Sequence, residues 1–196
     1  MKNILFIFLI FVGFPTFSQI HIDTLSIEKV SVKYTRVGEI IRETSKKSTN
    51  PNDFITDSTI NYRMLDSLIF IELNKYRKSK GLSSLNWNQS TYEFSKEWSD
   101  TIADSYNLRH TPSRVRFKEK IDSEICIGYL SINRTTYVSL SKKIIKGWES
   151  SPKHNKIMIS NYKNVSFGSS IRYLNVSSDS FNTTELFIWS TGQFTK

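Results

Sequence analysis

The 196-residue sequence contains one cysteine, four prolines and seven glycines. One cysteine excludes an intramolecular disulfide framework and a zinc finger built on thiolates. So few prolines and glycines exclude a collagen-like or low-complexity chain. Beyond the N-terminal run described next there is no long apolar stretch, so no permanent transmembrane helix is predicted. The 38% of hydrophobic and 13% of aromatic residues suffice for a sizeable core.

The N-terminus has the pattern of a signal peptide. Lys2 precedes an almost wholly apolar run at residues 4–14, and small residues, Thr16 and Ser18, stand at the −3 and −1 positions of a cleavage site. The run is shorter than the ~20 residues of a membrane-spanning helix. We therefore predict that residues 1–18 are removed and that the mature protein is exported, either to a periplasm or out of the cell.

Basic residues outnumber acidic ones. The 27 Lys and Arg against 18 Asp and Glu give a formal net charge of +9, which favours acidic partners such as polyanionic glycans or anionic lipid surfaces. Most basic residues are scattered, a pattern more typical of simple solubility than of an acidic partner. The densest group lacks the glycine–aromatic pattern of an RNA-binding sheet, so no nucleic-acid partner is expected. It comprises Arg109, Arg114, Arg116, Lys118 and Lys120.

The mature chain divides into an N-terminal extension and one larger domain. The extension, residues 19–62, has an apolar–polar alternation at residues 30–35 that predicts one half-buried strand. A polar linker is predicted over residues 43–59. We expect the remainder, residues 63–196, to form the main domain of a monomeric protein.

Three helices are predicted from apolar residues at helical spacing. The first covers residues 64–81. The second starts near Ser90, where Ser90 and Glu93 form a capping-box pattern. The third covers residues 136–151 and ends at Pro152. The residues expected to face inward in the second helix are Phe94, Trp98, Ile102 and Tyr106. Those expected to face inward in the third helix are Tyr137, Leu140, Ile144 and Trp148.

Strand patterns follow the helices along the chain. Val165, Phe167 and Ile171 share one parity, and a second apolar run stands at residues 186–189. The polar residues 175–182 between them predict the turn of a hairpin. Helices followed by strands favour an α+β fold over a parallel βαβ sheet.

Two of the three histidines follow predicted helices, where functional residues often collect. His110 follows the second helix and His154 the third, and both are predicted in loops; His21 lies beside the cleavage site. A lone loop histidine is more often a capping or hydrogen-bonding residue than a ligand. A functional role therefore requires partners.

Several segments resemble the CAP superfamily of cysteine-rich secretory, antigen 5 and plant pathogenesis-related 1 proteins, which has many exported bacterial members. Residues 73–87 are similar to the family's opening motif, LNxxRxxxGLxxLxW. His110 with Thr111 matches the family's first histidine, and residues 147–155, GWESSPKHN, are similar to the bacterial pattern that carries the second. The resemblance covers about residues 63–196. It implies an α-β-α sandwich with a small antiparallel sheet between helical layers.

The resemblance also implies a cleft that usually contains two histidines and two acidic residues. Carried over by position, these are His110, His154 and Glu124, although Glu124 lacks the flanking Gly and Asn of the family motif. The second acid is replaced by Ser151, as in many bacterial relatives. Glu149 is not expected to substitute, because it lies about 200° around the helix from Ser151.

Two imidazoles and one carboxylate can bind zinc and leave a fourth position open to water. Alternatively, the three side chains hydrogen-bond one another and shape the cleft. Some family members bind divalent metals and others bind sterols or fatty acids. We therefore expect a non-enzymatic module that binds a small ligand, a lipid or a divalent metal. The alternatives are a metal-dependent extracellular hydrolase and a basic adhesion module for acidic polysaccharide or lipid surfaces.

The single cysteine, Cys126, lies two residues after Glu124. In an extended segment the two side chains point the same way, so a Cys126–His110 nucleophile pair is one interpretation. The other, which we favour, is a buried cysteine that acts as a small hydrophobe between Ile125 and Ile127.

Overall fold

The structure is a computed structural model. It describes residues 29–34, 40–56, 60–132, 135–178 and 181–196. The predicted signal peptide and His21 lie outside the described residues. In the part of the chain that the structure describes, no helix combines the length and the apolar composition that a membrane crossing requires.

Strands β1 (Lys29–Tyr34) and β2 (Ile40–Lys46) form a two-stranded antiparallel sheet. The first coincides with the single strand predicted from sequence. The second was missed, and the predicted linker at residues 43–59 begins inside it. A strand ladder is built from backbone hydrogen bonds, so the polar composition of residues 42–46 does not prevent it.

The rest of the described chain contains five helices and four strands. The helices are α1 (Tyr62–Ser79), α2 (Tyr92–Asp104), α3 (Ser113–Lys118), α4 (Tyr137–Glu149) and α5 (Pro152–Met158). The strands are β3 (Asn86–Trp87), β4 (Ser123–Ile132), β5 (Asn164–Ser178) and β6 (Phe181–Thr195).

The four strands form one sheet in the order β3-β5-β6-β4. Strands β4, β6 and β5 are antiparallel, whereas the short β3 pairs in parallel with β5. The sheet is therefore mixed and not wholly antiparallel as predicted. The hairpin is confirmed, but its ladder runs as far as Ser178 and Phe181, so most of the predicted turn at residues 175–182 is strand.

One face of the sheet is covered by α1 and α4, and it forms the main hydrophobic core. The four positions predicted inward in the third helix are all fully buried in α4. Among them Trp148 stacks on Phe167 of β5 with ring centroids 5.6 Å apart. Phe167 in turn meets Phe194 of β6 edge-on at 6.4 Å. This layer confirms the predicted periodicity of the third helix.

The opposite face carries α2, so helices cover both sides and the α+β sandwich is confirmed. The contact is made by small side chains, because Ser95 and Ser99 of α2 are fully buried. The hydroxyls of Ser95 and Ser166 lie 2.7 Å apart, and Ser99 donates to the Gly168 carbonyl at 2.6 Å. These bonds bring the helix backbone close to β5.

The stripe predicted for the second helix is therefore wrong in part. Ile102 is buried, but Phe94 and Trp98 are only half-buried and Tyr106 is 53% exposed. The buried face is rotated toward the serines, because small hydroxyl residues fit the close approach to the sheet better than aromatic rings do. The prediction considered the spacing of apolar residues alone, so it did not place the serines on the buried face.

The predicted capping box at the start of α2 is also wrong. The helix begins at Tyr92, and Ser90 lies in a preceding helical turn at Gln89–Thr91. The Ser90 hydroxyl donates to Asn88 Oδ1 at 2.7 Å, and Asn88 also accepts from the Ser90 backbone at 3.1 Å. Asn88 is therefore the residue that caps this turn.

Candidate functional site

The candidate site begins at the edge strand β4, on the sheet face that carries α2. Glu124 of β4 is paired with Gln193 of β6, and alternation along β4 places Cys126 on the same face. His110 and Thr111 belong to the segment between α2 and α3, and both contact Glu124. The structure thus brings His110 and Glu124 together, as the resemblance implied.

The Glu124 carboxylate accepts hydrogen bonds at both oxygens. Oε1 accepts from the Thr111 backbone at 2.8 Å and from His110 Nδ1 at 2.9 Å. Oε2 accepts from Gln193 Nε2 at 2.6 Å and from the Thr111 hydroxyl. The Cys126 thiol is a further, weaker donor to Oε1 at 3.3 Å. Five donors therefore surround one buried carboxylate, which is 2% exposed.

Glu124 is ionised despite its burial. Burial alone would raise the pKa of this carboxyl, but hydrogen bonds from Thr111, Gln193 and His110 together hold the pKa below its usual range. An ionised carboxylate only accepts, so His110 Nδ1 carries the proton in this pair. The neutral ring then has its lone pair on Nε2, the arrangement of a histidine ready to bind a metal. The His110 side chain is 55% exposed, so a ligand can reach it.

His154 lies across from His110. Its ring centroid is 6.3 Å from that of His110, and the two ring planes meet at 59°. Partial burial, and then the neighbouring His110, lower the pKa of His154 below its usual value. The neutral form that binds metals is therefore the favoured one at neutral pH.

His154 is in a helix and not in a loop, contrary to the prediction. Pro152 occupies the first turn of α5 instead of only ending the preceding helix, because a proline without an N–H fits that position. Ser151 is the N-cap residue of α5, but its side chain makes no capping hydrogen bond. Glu149, which was not expected to take part, is paired with Lys146 at 2.9 Å.

Two residues at the end of α1 hold α5 in place, and neither was identified as functional from sequence. The Tyr76 hydroxyl donates to Asn155 Oδ1 at 2.7 Å. The buried Arg77 donates from one terminal nitrogen to the carbonyls of Met158 at 2.6 Å and Ser160 at 2.9 Å. Arg77 could have been identified from the sequence, because it is the arginine of the first family motif. Its side chain fixes the helix that carries His154.

We expect Arg77→Leu to destabilise the protein by about 2 kcal/mol, because buried carbonyl groups lose their charged donor. Arg77 Nε also donates to the Ser83 carbonyl at 2.9 Å, so three carbonyls are affected. Urea unfolding measures the loss. Lys78→Leu, at an exposed cation on the same helix, is the control and should change stability by less than about 0.5 kcal/mol. Equal losses in both variants would contradict the anchoring role of Arg77.

Cys126 completes a compact group of ligand-type atoms with His110 and Glu124. The three atoms lie within 4.8 Å of one another, and Cys126 Sγ is 3.6 Å from His110 Nδ1. Burial, and then the negative charge of Glu124, strongly raise the pKa of the thiol. The cysteine is therefore held as a thiol, which disfavours the nucleophile interpretation.

Comparison with known proteins gives a family. The profile of the family described as CAP, the cysteine-rich secretory protein family, matches residues 70–181, which is more than half of the chain. No curated protein sequence matches the chain.

Two solved structures align with part of this chain. An outer surface protein from Borrelia burgdorferi is 14% identical with a TM-score of 0.47, over 70% of this chain and 96% of that one. A cysteine-rich secretory protein from Staphylococcus aureus is 15% identical with a TM-score of 0.45, over 72% of this chain and 44% of that one.

Proposed function

This chain belongs to the cysteine-rich secretory protein (CAP) family, and from that premise we propose that it is a non-enzymatic, exported binding protein. Its ligand is a divalent metal ion such as zinc, held between His110 and His154. The observation that supports this most directly is the pairing of ionised Glu124 with His110 Nδ1. It fixes the tautomer in which Nε2 is free to bind a metal.

The donor set fits zinc. Histidine nitrogens are common zinc ligands, burial favours the neutral form of His154, and zinc–nitrogen bonds measure about 2.0–2.1 Å. The ring centroids are 6.3 Å apart; in this proposal His154 moves toward His110, whose ring stays bound to Glu124, and both rings bind one ion. Water or a further ligand would complete the coordination, as in zinc sites with open positions.

Glu124 acts behind His110 in this proposal and is not a ligand itself. Its two oxygens already accept from Thr111, Gln193 and His110. A metal bound directly to Glu124 would have to displace these donors. The hydrolase alternative requires all three predicted side chains to bind one ion. Because its hydrogen bonds keep Glu124 from binding the ion, they favour a metal-binding protein over a hydrolase.

Zinc titration by calorimetry on the metal-stripped protein tests the proposal. We expect His110→Ala/His154→Ala to weaken zinc binding at least about a hundredfold, because both imidazole ligands are lost. Glu124→Gln should weaken it by about 10- to 100-fold, since the orienting acceptor is changed.

The matched control is His21→Ala, which removes the third histidine of the chain and should leave zinc binding unchanged. Equal heats for the wild-type protein and the double variant would overturn the proposal. In that case the two cleft histidines would be structural, and the ligand would have to be sought among lipids and glycans.

A further inference from the structure

One segment combines exposed hydrophobic side chains with an excess of positive charge. Among the described residues, five large hydrophobic side chains are 40% or more exposed. Three of them, Tyr106, Leu108 and Phe117, lie within residues 106–120, which we call the basic segment. Phe117 is 87% exposed, far more than the others. A phenylalanine this exposed has a large apolar surface that no part of the described chain covers.

The same segment carries the densest positive charge of the sequence. It contains the five arginines and lysines noted above and a single acidic residue, Glu119, which gives a formal charge of +4. The Glu119 Oε1 atom lies 3.9 Å from Lys118 Nζ. The Lys118 side chain is 84% exposed. Arg114 and Lys120 are also exposed. The charges therefore face solvent on both sides of Phe117 along the chain.

The fold holds this segment in a defined position. Thr111 is bound to Glu124 of β4, as described above, just before α3 begins. After α3, the Ile121 backbone donates to the Arg116 carbonyl at 2.8 Å, and the Asp122 backbone donates to Phe194 of β6 at 3.0 Å. Both ends of the short helix are thus fixed to the sheet, so Phe117 projects from an anchored support.

We propose that the basic segment is a docking surface for a lipid bilayer with anionic headgroups. Phe117 enters the apolar boundary of the bilayer, while Arg114, Lys118 and Lys120 bind headgroup phosphates. An apolar side chain surrounded by cations is the arrangement that favours binding at a membrane interface. An acidic polysaccharide would match the charges but would provide no apolar environment for Phe117. His110 belongs to the same segment, but the residues proposed to contact the bilayer are Phe117, Arg114, Lys118 and Lys120, so the docking proposal does not depend on metal binding.

Vesicle flotation with the full chain tests this docking surface. The vesicles contain phosphatidylglycerol and phosphatidylcholine, or phosphatidylcholine alone, and the readout is the ratio of binding to the two. Every chain compared carries the same apolar run at residues 4–14, so its contribution cancels. We expect the wild-type protein to bind the anionic vesicles selectively, and 0.5 M salt to weaken that binding because surface charges are screened.

Two variants separate the apolar and the ionic contributions. Phe117→Ser should weaken anionic-vesicle binding about tenfold, because the inserted apolar area is lost. Arg114→Gln/Lys118→Gln should weaken it by about fivefold per charge removed. Matched controls elsewhere on the described surface are Ile159→Ser and Lys142→Gln/Lys163→Gln, which should have no effect.

Three results would overturn the proposal. The first is equal binding to anionic and neutral vesicles. The second is equal weakening by the test and control variants. The third is that the protein binds dextran sulfate, a soluble polyanion, as strongly as the anionic vesicles and that Phe117→Ser does not change this binding. Such a result would identify a general polyanion surface without a lipid component.

Discussion

Asp66→Asn is expected to be more stable than the wild-type protein at pH 8 and to lose this advantage as the pH falls toward 4. Asp66 is fully buried in α1, and the Tyr92 hydroxyl donates to its Oδ2 at 3.3 Å. Burial raises the pKa of Asp66 to about 8, against the opposing effects of Ser169, Lys96 and Arg63. The carboxyl is therefore neutral in the folded protein over a range in which it is ionised in the unfolded chain.

The sign of the effect follows from proton binding. Between pH 3.8 and about 8 the folded state binds one proton more than the unfolded state does. The contribution of Asp66 to stability is thus fully present below pH 3.8 and is lost as the pH rises through about 8. Asparagine mimics the neutral carboxyl but does not ionise. At pH 8 its advantage should be on the order of 5 kcal/mol, at about 1.4 kcal/mol per pH unit.

Urea unfolding of both proteins at a series of pH values measures this difference. Glu97→Gln makes the same acid-to-amide change at an exposed carboxyl; it is the control and should change stability by less than about 0.5 kcal/mol. An advantage of Asp66→Asn that is the same at pH 4 and pH 8 would show that Asp66 is ionised in the folded protein.

Gly168→Ala is expected to destabilise the protein by about 3 kcal/mol or more. A Cβ at Gly168 would lie closer than 3.0 Å to backbone atoms of Ser95 and Lys96 in α2, a separation that real Cβ atoms essentially never show. Backbone atoms cannot rotate away as a flexible side chain can. The helix would have to move off the sheet and break the Ser99 bond to the Gly168 carbonyl.

Gly128→Ala is the matched control in the neighbouring part of the sheet. There the added Cβ would meet Trp189 at 3.6 Å and Leu108 at 3.8 Å, which are ordinary contact distances. We expect a change of less than about 1 kcal/mol in the free energy of unfolding. A tolerated Gly168→Ala, with a melting temperature close to wild type, would contradict the close approach of α2 to β5.

The fold class was predictable because it depends on local patterns. The helices α1 and α4 have clear apolar stripes, and α4 was predicted with its inward residues correct. Which strands lie side by side in the sheet was not predictable, because a pattern along the chain does not determine strand order. The long ladder of β5 and β6 also continues through residues 175–178, whose composition is typical of turns.

The residues of the candidate site were predicted from the sequence, but the contacts between them were not. His110, with its neighbour Thr111, Glu124 and His154 were found by resemblance, yet Gln193, which also holds Glu124, comes from another strand. Gln193 is opposite Glu124 only because β6 lies beside β4. No local signal could reveal a hydrogen bond that depends on the pairing of strands far apart in sequence.

The position of β6 has a consequence for the order in which the molecule can assemble. It is the last of the strands in sequence, yet it lies between β4 and β5. A chain still emerging from the ribosome therefore has two strands with unsatisfied edges and no partner to join them. Gln193, which supports the Glu124 carboxylate, arrives with the same strand. The sheet and its site thus form together and late, so folding is expected to follow the completion of this segment and not to accompany its synthesis.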